Sequence, residues 1–187
     1  MFLVGPQLFS GEELAAHLEA RKAEAVAALG ALAPGEVAAR DRGALLREIH
    51  ERFAVPATSM RVESAHFTGE RPLTADEREA IGVAEADAAS FKAVTIAIPY
   101  AGDPHLFTCR PAIYSAHQPQ AEPRDGALHV TYFLSEAEEF QLEANFKRLI
   151  ALIERTLEVT QWQAMGYNQD LMDALSAALA ERTGAGA

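Results

Sequence analysis

The chain has 187 residues, about half of them hydrophobic, and a formal net charge of −11. That length can bury a core without staples, and the composition excludes a largely disordered chain. The acidity, with no basic run to offset it, disfavours nucleic acid and anionic membrane, because binding phosphate rests on Lys and Arg.

Cys109 is the single cysteine, which excludes an internal disulfide. Residues 1–6 carry no basic start and only a short apolar run, so a signal peptide is not expected. No segment approaches the roughly 20 apolar residues that span a bilayer. A cytoplasmic protein is expected.

Ser10 and Glu13 have the spacing of a capping box, which predicts a helix from there with Leu14, Leu18, Ala25 and Leu29 on one face and a stop at Gly30. A second helix is predicted over residues 36–53, with Leu45, Leu46, Ile49 and Phe53 inward. Ala33-Pro34-Gly35 breaks the two into a hairpin. Residues 58–67 alternate, Met60 and Val62 against Arg61 and Glu63, as a half-exposed strand does. The acidic stretch 68–90 reads as surface loop, with a short helix where Thr74 and Glu77 form another capping box.

Residues 91–100 form the clearest strand. Val94, Ile96, Ile98 and Tyr100 share one face; Ala93, Thr95 and Ala97 share the other. Gly102-Asp103-Pro104 is turn chemistry, and residues 106–110 are predicted to return as a hairpin strand. Residues 111–126 read as loop. Residues 127–134 form a further strand, with Leu128, Val130, Tyr132 and Leu134 on one face. Ser135 and Glu138 make a third capping box where strand gives way to helix. From there to Arg182 an apolar stripe runs at helical spacing: Phe146, Leu149, Ile153, Leu157, Asn168, Leu171, Leu175 and Leu179. Gly166 invites a break, since glycine costs about 1 kcal/mol against alanine within a helix. The stripe is longer than a small domain is expected to cover, so its distal part is expected to fold back or to meet another chain.

The six histidines include no pair at the spacing that puts two ligands on one helix face. His105, Cys109 and His117, with Asp103, are the one local group of metal-capable atoms, but with a single thiol they do not match a zinc signature. No metal and no cofactor are expected. The familiar phosphate loops and the serine-nucleophile elbow are absent from the sequence. The segment GDPHLFTCRP (102–111) supports two readings. In one, Asp103, His105 and Arg110 line a ligand site, with Tyr100 or Tyr132 stacking on the ligand. In the other, Asp103 bonds its own backbone, Pro104 fixes a bend, and Leu106 and Phe107 pack.

Pro99-Tyr100, Gly102-Asp103-Pro104, Leu106-Phe107, Arg110-Pro111 and a long helical tail bearing Asn168 together resemble a family of small bacterial proteins with no assigned activity. The resemblance implies a bacterial, intracellular origin and carries over no catalytic residue.

The sequence thus predicts an α+β protein: an N-terminal helical hairpin, a small, mainly antiparallel sheet and one or two long C-terminal helices. Residues 1–134 hold the hairpin and sheet, 135–182 the helical region, and 183–187 a disordered, fraying tail, the whole reading equally as one single domain. The leading functional expectation is a non-enzymatic interaction module of a bacterial assembly, binding a protein partner or a second copy through the C-terminal stripe. The alternative is a small-molecule or nucleotide-binding protein, or an enzyme, with its site around Asp103, His105 and Arg110.

Overall fold

The computed structural model describes residues 1–113 and 118–184. Its class is α+β, as the segregation of strands and helices predicts. Strand β1 (Phe2–Val4) leads into helices α1 (Leu14–Ala31), α2 (Pro34–Ala38) and α3 (Arg42–Phe53). Strands β2 (Ser59–Met60) and β3 (His66–Pro72), helix α4 (Ala75–Ala80) and strand β4 (Phe91–Ala101) follow. Strands β5 (Glu122–Arg124) and β6 (Ala127–Ser135) precede helix α5 (Leu142–Gly184).

The sheet is antiparallel, with β4 and β6 at its centre. β1 and β5 share the free edge of β6, and β2 and β3 share that of β4. The predicted single strand over 58–67 is therefore two short strands with a 3₁₀ turn, Val62–Ser64, between them. β3 carries a bulge between Phe67 and Gly69 and ends on Pro72, features that blunt an exposed edge.

The predicted second helix divides because Asp41 caps a fresh start: its carboxylate accepts from the Ala44 amide at 2.8 Å. Thr74 and Glu77 form the predicted capping box of α4, and Ser135 and Glu138 cap a 3₁₀ turn that leads into α5. The box at Ser10 is not formed. The Ser10 hydroxyl donates to the Gln7 carbonyl at 2.8 Å, and α1 begins only after Glu13.

α5 is one unbroken helix of 43 residues, about 65 Å long at 1.5 Å per residue. Gly166 does not interrupt it. The stripe expected to face a partner is instead spent inside the chain. Leu149, Ile153 and Leu157 lie with Val94, Ile98, Leu128, Val130 and Leu134 of the sheet, and Phe146 packs at the margin of that cluster. Leu171, Leu175 and Leu179 lie with Leu18, Ala25 and Leu29 of α1 and Leu45 and Ile49 of α3. One helix is long enough to close two cores in sequence, a sheet core and a helical core. Asn168 serves the second. Its side chain accepts from the Val55 amide at 2.9 Å and donates to the Val55 carbonyl at 3.0 Å. It holds the chain after α3 and does not cap a broken helix. The helix continues through Thr183 and Gly184, so the expected frayed tail is helical there, and residues 185–187 lie outside the described residues.

Candidate metal centre

Residues 104–107 sit where the two cores meet. They form a 3₁₀ turn, Pro104–Phe107, and not the predicted hairpin strand. Asp103 caps the turn by accepting from the His105 amide at 2.9 Å. Phe107 enters the sheet core, while Leu106 and Cys109 enter the helical core. With those side chains inward, the His105 side chain is left outward.

Against this turn lies the chain entering α1. The Phe9 amide donates to the Phe107 carbonyl at 2.7 Å and the Gly11 amide to the Thr108 carbonyl at 2.9 Å. The Arg110 amide donates to the Glu12 carbonyl at 2.8 Å, and the Leu14 amide to the Arg110 carbonyl at 2.8 Å. A side chain at residue 11 would put its Cβ 2.9 Å from the Thr108 carbonyl oxygen, so only glycine permits this approach. Phe9 accepts a left-handed φ of 57° and is fully buried, a local strain that the surrounding packing holds in place. Two segments about ninety residues apart are thereby locked together.

The locking gathers four donor side chains. Glu12, His17, His105 and Cys109 each place one ligand atom within 4.8 Å of the others. One Glu12 oxygen lies 3.1 Å from His17 Nδ1 and 3.1 Å from His105 Nε2. The two imidazoles are neighbours, their ring centroids 4.4 Å apart. Around a tetrahedral zinc ion, bonds of about 2.0–2.1 Å to N and O give ligand–ligand edges of roughly 3.3 Å, and bonds of about 2.3 Å to S give slightly longer ones. The carboxylate–imidazole separations already match those edges. The remaining pairs lie within 4.8 Å and need to close by about 1.5 Å at most.

The electrostatics favour a cation. Hydrogen bonding from His105 is the largest cause holding the Glu12 carboxyl below its ordinary value, with the charges of His17 and His105 adding to it. Burial pushes the Cys109 thiol up to about 11, and the charges of Glu12 and Asp103 push in the same direction. A thiol in such surroundings is a poor free nucleophile. A divalent ion reverses the sign of that argument, because a coordinating thiol loses its proton outright.

Of the residues that sequence assigned to a ligand site, only His105 joins this cluster. Asp103 is occupied with the turn, and its carbonyl accepts from the Thr58 hydroxyl at 2.9 Å. Gly102, at φ +100°, admits no ligand: a Cβ there would lie 2.3 Å from the Ala57 carbonyl oxygen. Arg110 donates to Glu13 at 3.0 Å. Tyr100 is half-buried, and its ring meets Phe107 edge-on at 5.0 Å. Tyr132 is buried in the sheet core opposite Val94, seven residues before Ala101 and so roughly 23 Å along the strand at ~3.3 Å per residue. It cannot stack on a ligand near Asp103. Among the described residues its hydroxyl has no hydrogen-bond partner, and burial pushes it up to about 12.

The grouping of His105 and Cys109 expected from sequence is present, four residues apart across the turn. His117 lies outside the described residues. Glu12 and His17 went unread because their link to the turn is made by backbone pairing of residues 9–14 with 107–110, which leaves no local pattern. His105-x-x-x-Cys109 was the only legible half. Comparison with family models, with curated proteins and with solved structures finds no match to this chain. Among the described residues, no helix is long and apolar enough to cross a membrane.

Proposed function

We propose that this chain is a transition-metal-binding protein whose ion lies between Glu12, His17, His105 and Cys109. The observation that carries the reading is the convergence of these four donors, from two distant segments, within 4.8 Å. One thiolate and two imidazoles do not suit Mg²⁺ or Ca²⁺, which take oxygen ligands; they suit zinc and its divalent neighbours. The ion would join the entry of α1 to the turn at 104–107, at the seam between the cores. It would therefore stabilise the fold by mass action. The test is cobalt titration of the metal-free protein. One equivalent should give d–d bands and a thiolate charge-transfer band, and Cys109→Ser should lose the latter. Absence of both bands at micromolar cobalt and protein would sink the reading.

A second reading keeps the expectation of an interaction module but moves its surface. Trp162 and Met165, three residues apart, stand exposed on α5, and Ile113 is exposed on the loop whose Ala112 amide donates to Gln163 of the same helix at 3.0 Å. Met165 also lines a groove of about 470 Å³ with Ala54, Pro56, Ala57 and Ala164. Projecting apolar side chains beside a groove on one face are what a self-complementary two-fold pair requires. The occupant proposed is a second copy of this chain. Light scattering should give twice the monomer mass, reduced to the monomer by joint replacement of Trp162 and Met165 with alanine. A monomeric wild type at high micromolar concentration would remove this reading.

A further inference from the structure

The four donors of the centre are not equivalent. Cys109 is fully buried at the floor. The side chains of His17, His105 and Glu12 are 24%, 44% and 54% exposed, so the cluster is a cup with the carboxylate at its mouth. Three donors have reasons to stay where they are. Cys109 is part of the helical core, and its amide donates to the His105 carbonyl at 3.0 Å. His105 rides on a turn capped by Asp103, with its Nδ1 3.4 Å from the Thr108 hydroxyl. His17 stands in the first turn of α1, its amide bonded to the Glu13 carbonyl at 3.1 Å.

Among the described residues, Glu12 has no comparable anchor for its carboxylate. The two imidazole nitrogens that face it are its hydrogen-bond partners. An ionised carboxylate only accepts, so these two contacts are hydrogen bonds when each imidazole turns an N–H towards it. An ion bound by those same nitrogens takes their lone pairs, and the proton of each ring moves to its other nitrogen. Both hydrogen bonds to Glu12 then vanish, and the ion alone retains the carboxylate at the solvent side of the cup. Closed structural zinc sites keep four protein ligands, whereas open ones keep three and leave a position for water or another donor.

We propose that Glu12 is an exchangeable ligand and that the ion, held by His17, His105 and Cys109, offers its fourth position to a small Lewis base. This rests on the metal reading above. Water is the resting occupant when the carboxylate swings out, and small monodentate oxygen, nitrogen or sulfur donors compete for the same place. The fully buried thiolate and the two imidazoles supply the affinity, while Glu12 gates access. When the carboxylate is bound, the site charge of a divalent ion, one thiolate and one carboxylate sums to zero. When it leaves, the site carries one positive charge and attracts an anion.

The cobalt-loaded full chain, probed with azide, tests this. Azide should shift the d–d bands of the wild type saturably. Glu12→Gln should keep its cobalt and its thiolate charge-transfer band. It should also bind azide at least about ten-fold more tightly, as expected if the carboxylate fills the position nine-tenths of the time. Far-UV circular dichroism of both metal-free proteins checks that the fold is kept. Loss of cobalt from Glu12→Gln as complete as from His105→Ala would make Glu12 an obligatory ligand and overturn the proposal. Spectra of both proteins indifferent to azide would mean a closed site and overturn it equally. A wild type that takes up no cobalt would instead remove the metal reading itself, an outcome distinct from either.

Discussion

The two halves of α5 meet their partners by different chemistry. Its first half packs on a sheet whose strands are held by backbone ladders, β4 pairing with β6 from Phe91 and Ser135 to Pro99 and Ala127. Its second half packs on helices, and there side chains tie the elements at their C-terminal ends. Arg182 donates to the carbonyls of Leu29 and Leu32 at the end of α1. Tyr167 and Arg21 donate to the Phe53 carbonyl at the end of α3, at 2.9 and 2.7 Å. Ladders are repetitive and survive the loss of one side chain. Tethers to helix-end carbonyls are few, and each leaves an orphan acceptor when removed. The helical half should therefore be the more fragile to polar substitution and equally fragile to apolar substitution.

The largest expected effect tests the equality. Ile153→Ala in the sheet core and Leu175→Ala in the helical core should each cost about 2–5 kcal/mol, since both side chains are fully buried. Urea unfolding followed by circular dichroism should show one transition in each variant, because one helix belongs to both cores. Two separated transitions would mean the cores are independent, and the comparison would fail. The next effect tests the inequality. Asn168→Leu strips the Val55 amide and carbonyl of their partner and should cost about 2 kcal/mol or more. Thr95→Val, which breaks a side-chain bond of 3.0 Å to Thr131 across the ladder, should cost about 1 kcal/mol or less.

A smaller effect concerns acid. Hydrogen bonding from Arg71 holds the Glu77 carboxyl at about 2, against an ordinary value of 4.5. A carboxyl depressed on folding contributes stability that is complete above 4.5 and is lost as the pH falls towards 2. The stability difference between wild type and Glu77→Gln should be constant above that window and should close within it. A gap that stays open at pH 2 would mean that loss of the ionised carboxylate is not the source of the effect. The smallest effect is a gain. Gly166 has open space where a Cβ would stand, so Gly166→Ala should stabilise the helical half by up to about 1 kcal/mol. A loss would mean that the backbone at Gly166 is needed by something outside the chain.

Much of the sheet half was readable. The alternation from Phe91 and from Ala127 gave both central strands to within a residue or so, because their large apolar side chains alternate, with Val94, Ile98, Leu128, Val130 and Leu134 turned to the core under α5 and the smaller cluster of Ala93 and Phe133 to the other face. Capping boxes at Thr74 and Ser135 were readable because a cap is a local bargain between residues three apart. At Ser10 the same signature failed, because the backbone pairing of Gly11 and Glu12 with the turn at 108–110 kept those residues out of the helix. The break expected at Gly166 failed for a related reason: about 1 kcal/mol of propensity is outweighed by the burial of Leu171, Leu175 and Leu179 beyond it. The apolar stripe itself was legible in full, but its occupant was not. Periodicity tells which face is covered and is silent on whether the cover comes from the same chain. The cluster of four donor side chains was half-legible, since His105 and Cys109 are local and Glu12 and His17 reach them only through the fold.

A single helix that seats two cores also fixes their phase. Each residue advances an α-helix by about 100°, given 3.6 residues per turn. One residue inserted between Leu157 and Ala164 would leave the sheet core in place but would turn Leu171, Leu175 and Leu179 away from α1 and α3. Seven inserted residues would restore the direction but shift the helical core by about 10 Å. Descendants of this chain can therefore lengthen their loops, but the span between the two cores admits almost no change in length.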